Sequence, residues 1–85
     1  MKRTNQEITD EVAALKALVP TGPFARKTQS TINETISAVQ HGFDQTSEEW
    51  DELPEELQMS VQDALNWRNG DSDEKPSDSF SGLVK

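Results

Sequence analysis

Residues 4–20 read TNQEITDEVAALKALVP, and they carry a helix together with both of its ends. Thr4 with Glu7 three places on is a capping box. The hydroxyl takes an orphan backbone N–H of the first turn, and the carboxylate reaches back to the N–H of Thr4. Ile8, Val12, Leu15 and Val19 fall at i, i+4, i+7 and i+11, which is one stripe of a 3.6-residue helix. Ala13, Ala14, Ala17 and Leu18 widen that face and raise helix propensity. Pro20 is the stop, because the residue before a proline avoids the α region. The spacing predicts a helix over residues 5–18.

The same period recurs downstream. Residues 19–28 form a loop punctuated by Pro20, Gly22 and Pro23, with Phe24 as an apolar residue expected to pack beneath the helices. A second helix is predicted over residues 30–41, with Ile32, Ile36, Val39 and Phe43 on one face and Gly42 free to take positive φ at its end. Thr46 with Glu49 gives a second capping box, opening a short helical turn through Leu53 that carries Trp50. Pro54 suits the first position of a further helix running to about Asn69, with Gly70 as its stop. Leu57, Val61, Ala64 and Leu65 form its apolar stripe. Glu55 and Glu56 complement its N-terminal dipole and Arg68 its C-terminal end. No internal repeat and no period of two appears. The expected fold is therefore all-α, a small domain of three to four helices over residues 1–70. Residues 71–85, rich in Ser, Asp and Gly, are expected to be a disordered acidic tail in which Phe80, Leu83 and Val84 could dock.

Composition bounds the function. The chain has 85 residues, a hydrophobic fraction of 32%, no cysteine and a net charge of -8. A chain this short is one domain at most, and its surface-to-volume ratio keeps its core thin. Without cysteine a disulfide framework and a thiolate metal site are excluded. Residues 1–10 are polar and charged, unlike the apolar stretch of a secretory signal. No apolar run is long enough to span a bilayer. These features predict a cytoplasmic protein. The Asn33-Glu34-Thr35 sequon then has no chemistry to do.

Charge is segregated along the chain. Through Lys27 five bases meet three acids, residues 28–69 set Arg68 against nine acids, and the tail holds two lysines and four acids. A net charge of this sign repels phosphate backbones and anionic membranes and favours a basic protein partner. No nucleic-acid or membrane partner is expected.

Residues 22–28, GPFARKT, imitate a phosphate-binding loop, but Arg26 stands where glycine must precede the lysine, Thr21 replaces the first glycine and no strand leads in. Arg26 and Lys27 read either as solvated cations paired with the acidic half or as contacts for an acidic partner. Residues 44–56 hold seven acids, Asp44, Glu48, Glu49, Asp51, Glu52, Glu55 and Glu56, and no base. A twelve-residue calcium loop begun at Asp44 would put Glu49 where the turn glycine belongs. Two readings stand for this run: a solvated face with dipole-matched helix starts, or a docking surface whose carboxylates occupy a site meant for phosphates. Met59, Asp63 and Trp67 lie at i, i+4 and i+8, beside or opposite the apolar stripe. Met59 and Trp67 are thus candidate interface anchors, the alternative being that Trp67 covers the core edge beneath the tail. His41 is the single histidine and has no cysteine or second histidine to work with. A carboxylate pair would need a cleft that a thin core can hardly supply. No enzyme activity and no cofactor are expected.

The isoleucine-spaced helix, Glu49-Trp50 before an acidic stretch, Ala64-x-x-Trp67-x-x-Gly70 and Pro76-Ser77 together resemble small accessory proteins carried on bacterial plasmids, integrative elements and phages. The resemblance covers about half the chain. That family carries no assigned activity, so it implies mobile-element biology and no functional residues. The leading expectation is a non-catalytic protein-binding module that docks through Glu48, Glu49, Asp51, Glu52, Glu55, Glu56, Met59 and Trp67, in the manner of an inhibitor or DNA mimic. The alternative is an antitoxin-like or regulatory homodimer whose C-terminal tail folds on its partner.

Overall fold

The computed structural model describes residues 2–80. Four α-helices follow one another, α1 (Asn5–Lys16), α2 (Ala25–His41), α3 (Glu48–Glu52) and α4 (Glu55–Arg68), and a 3-10 turn (Pro76–Phe80) closes the described chain. The all-α fold expected from the periodicity is the fold observed. α2 packs against both α1 and α4, and the 3-10 turn touches α1 and α4 as well. The core is Val12 and Leu15 of α1, Ile32, Ala38 and Val39 of α2, Val61, Ala64, Leu65 and Trp67 of α4, and Phe80.

α1 begins as its capping box dictates. Glu7 N–H donates to the Thr4 hydroxyl at 3.2 Å, and Thr4 N–H donates to the Glu7 carboxylate at 3.3 Å. The helix ends at Lys16, two residues sooner than expected. Leu18 N–H turns back to the Leu15 carbonyl, an i to i−3 bond that tightens the exit before Pro20. Val19, read as the last member of the stripe, is therefore 61% exposed. Ala13, Ala14 and Ala17 are exposed too, so they supply propensity and not core.

α2 starts at Ala25, five residues before the expected position. Ala25 N–H donates to the Gly22 carbonyl and Thr28 N–H to the Phe24 carbonyl, so the turn at Gly22-Pro23 winds directly into the helix without a side-chain cap. Phe24 ends outside the helix entry, 72% exposed, where packing beneath the helices was expected. The buried face of α2 is Ile32, Thr35, Ala38 and Val39, with Ile36 only half-buried. Two neighbouring helices draw in a wider face than one stripe, and Thr35 is admitted because its hydroxyl donates to the Thr31 carbonyl at 2.7 Å. Gly42 ends the helix at φ 78°, and a Cβ there would stand 3.3 Å from Arg68 Nη1. Arg68 comes this close because its Nε–H donates to the Val39 carbonyl at 3.1 Å, so the last turn of α4 caps the end of α2.

The segment 71–80, expected to be loose, is laid on the core instead. Pro76 and Phe80 are buried. Arg3 ties this segment to the start of the chain. Its guanidinium donates to the carbonyls of Trp67 (2.9 Å) and Ser72 (2.7 Å), pairs with Asp73, and lies 5.0 Å above the Trp67 ring. Composition signalled disorder, but the buried Pro76 and Phe80 and the bonds of Arg3 fasten the segment to the helices. Leu83 and Val84 lie outside the described residues.

Candidate functional site

The acidic run is positioned by an Asx turn, not by the expected capping box. Asp44 accepts from Thr46 N–H at 2.9 Å and from the Thr46 hydroxyl at 2.6 Å, and Ser47 Oγ donates to the Asp44 carbonyl. Ser47 becomes the N-cap of α3 and makes no side-chain capping bond. The Thr46 hydroxyl, and then the Thr46 N–H, hold the Asp44 carboxyl below its ordinary value. Trp50 pins the short helix inward. Its ring meets Phe43 edge-on at 5.7 Å, and its carbonyl accepts from Gln58 Nε2 at 2.7 Å. Gln45 bonds Gln62, which fastens the preceding loop to α4.

With Trp50 turned in, the charged positions must turn out. Glu48, Glu49, Asp51, Glu52, Glu55 and Glu56 are all exposed. The only ion pair in this run among the described residues joins Glu56 to Lys27 of α2 at 2.7 Å. Lys27 lies in the first turn of α2, where a cation opposes the helix dipole, and Glu56 offsets that charge. Met59 stands 63% exposed beside the run. It lines a shallow hollow of about 350 Å³ with Trp50, Glu55, Gln58, Gln62 and Asp63.

Trp67 does not belong to this surface. It is 3% exposed, covered by Arg3 and the C-terminal segment. The expected Met59–Trp67 row is corrected to Met59 alone. The stripe counted from Leu57 omits Trp67, yet Trp67 follows the buried Ala64 by three places and so shares its face. Seven of the eight expected docking residues are thus surface residues on adjoining elements, and the eighth is core.

Reading along the chain missed two features. Phe24 is an exposed aromatic beside a second hollow of about 330 Å³ that Lys27, Glu56 and Phe80 also line. Glu11 is a buried carboxylate on α1. Its signal was present, since position 11 follows Ile8 by three and precedes Leu15 by four. His41 is exposed, and among the described residues no three His, Cys, Asp or Glu side chains gather to hold a metal ion. None of the described helices is long and apolar enough to cross a membrane.

Comparison with protein-family models, curated proteins and solved structures gives no match for this chain. The resemblance to mobile-element accessory proteins rests on the residues quoted for it.

Proposed function

We propose that this protein is a non-catalytic protein-binding module that docks a basic partner surface through the carboxylates of α3 and the first turn of α4, with Met59 as the apolar anchor. One observation carries the reading. Six carboxylates of α3 and the first turn of α4 are exposed together, and among the described residues a single ion pair engages them. Carboxylates so held steer a cationic surface toward the site and fix its register there. A mobile-element origin, with a role as an inhibitor or DNA mimic in the cytoplasm, is the setting we favour. The second reading, a regulatory dimer whose tail folds on its partner, is weakened because Phe80 is already committed to the chain's own core.

The test is capture from host lysate on the tagged full chain, beside the variant Glu49→Lys/Glu52→Lys. Both positions are exposed and neither joins the Lys27–Glu56 pair, so the variant should fold normally. A partner retained by the wild type should be released by salt and lost from the variant. Recovery of the same proteins by both chains, with the same salt dependence, would leave the acidic run as solvated surface.

A further inference from the structure

Glu11 is a carboxylate on the apolar face of a helix. It lies on the stripe of Ile8 and Leu15, and only 3% of it is exposed. Buried carboxylates ordinarily have their lone pairs satisfied. Here Oε2 accepts one long hydrogen bond, 3.5 Å from Ser77 N–H, and Oε1 has no partner. Glu11 and Ser77 line a cleft of about 390 Å³ beside Trp67.

The charges around this cleft select its ligand. Its lining contains five carboxylates, among them Asp10 and Asp78, against the two cations Arg3 and Lys75. Arg3 is spoken for by Trp67, Ser72, Glu7 and Asp73. Its guanidinium already shows what this wall accepts: a flat cation between carboxylates and an aromatic ring. Lys75 is exposed and forms no ion pair among the described residues. An anion would be repelled, and an apolar ligand would leave Oε1 unpaired. A cation bearing N–H donors compensates the Glu11 carboxylate at the cleft wall, whose Oε1 is itself closed to solvent.

We propose that this cleft binds a second organic cation, an alkylguanidinium or alkylammonium group, with Glu11 as the anchoring carboxylate and the exposed Asp10 and Asp78 beside it. The site shares no residue with the acidic run of α3 and α4, so neither proposal depends on the other.

The experiment is an amide-shift NMR titration of the ¹⁵N-labelled full chain, with agmatine in one arm and a blocked Gly-Arg-Gly peptide in the other. Saturable shifts should concentrate at the Ser77 amide and the Trp67 indole N–H. Glu11→Gln keeps the shape and removes the charge, so it should weaken binding roughly tenfold. Should Glu11→Gln disturb the fold, Asp78→Asn, an exposed substitution, should weaken binding roughly twofold to threefold with the fold intact. Glu49→Lys/Glu52→Lys should bind agmatine as the wild type does. Binding of agmatine alone identifies a free small cation as the ligand, and equal binding of the peptide identifies a partner's arginine. The proposal is overturned by an absence of saturable shifts, by shifts that follow the α3 and α4 carboxylates, or by unchanged affinity in the folded Glu11 and Asp78 variants.

Discussion

Trp67 and Phe24 occupy each other's expected places. The tryptophan is core and the phenylalanine is surface, and stability measurements should separate them sharply. Trp67→Ala removes a large buried ring and the platform beneath Arg3, which should destabilise by about 3–5 kcal/mol and leave so small a domain largely unfolded. Phe24→Ala should stay within about 0.5 kcal/mol of the wild type in urea denaturation. A large loss at Phe24 would mean that its ring is covered in solution. The carboxylates give a second prediction at this scale. Glu7 is held below its ordinary value of 4.5 chiefly by the Thr4 backbone N–H and then by the Thr4 hydroxyl. A depressed folded-state value means that the stabilisation is complete above 4.5 and fades as pH falls through the lowered value. In an NMR titration Glu7 should ionise below 4.5 in the wild type and move only part of the way back in Thr4→Ala, which removes the hydroxyl and keeps the backbone N–H.

Helix ends decide how the elements meet. Gly42 lets the chain leave α2 at positive φ while Arg68 caps the Val39 carbonyl beside it. Gly42→Ala should therefore do two kinds of harm, strain at φ 78° and a Cβ pressed to 3.3 Å from the guanidinium. A loss of about 1 kcal/mol or more is expected by chemical denaturation, and Arg68→Ala should relieve the steric part of it in a double-mutant cycle. The 3-10 turn at Pro76–Phe80 acts as a clamp across α1 and α4. Phe80→Ala should cost about 3–5 kcal/mol if the ring is as buried as its 5% exposure indicates. Amide exchange in residues 71–80 should then accelerate more than in α2. Exchange equally fast in the wild type would show that the segment does not dock.

The whole molecule is an acidic body, and three of its eight basic residues are engaged by other parts of the chain. Arg3, Lys27 and Arg68 each bind another part of the chain. With a net charge of -8 and these cations engaged, duplex DNA should not bind at physiological salt. A fluorescence titration giving sub-micromolar affinity with a steep salt slope would reverse the functional reading and turn attention to the N-terminal third.

Local interactions wrote the helices into the sequence. The capping box at Thr4 and Glu7, the stop at Gly42 and the start after Pro54 act within a few residues, so reading along the chain finds them. The exposure of the acidic run was legible for the same reason, because so many carboxylates at close spacing cannot all be buried. The start of α2 was missed because backbone bonds from a Gly-Pro turn replace a side-chain cap and leave no residue signature. The stripes of Val12 and Leu15, Ile32 and Val39, and Val61, Ala64 and Leu65 were legible as core, but the burial of Trp67 and Glu11 was not. Trp67 lies where Arg3 from the start of the chain crosses its ring and residues 73–78 come alongside. Glu11 acquires its cleft only when residues 73–78 fold across α1. Burial depends on what lands on a face, and contacts between residues more than sixty positions apart belong to the tertiary structure alone.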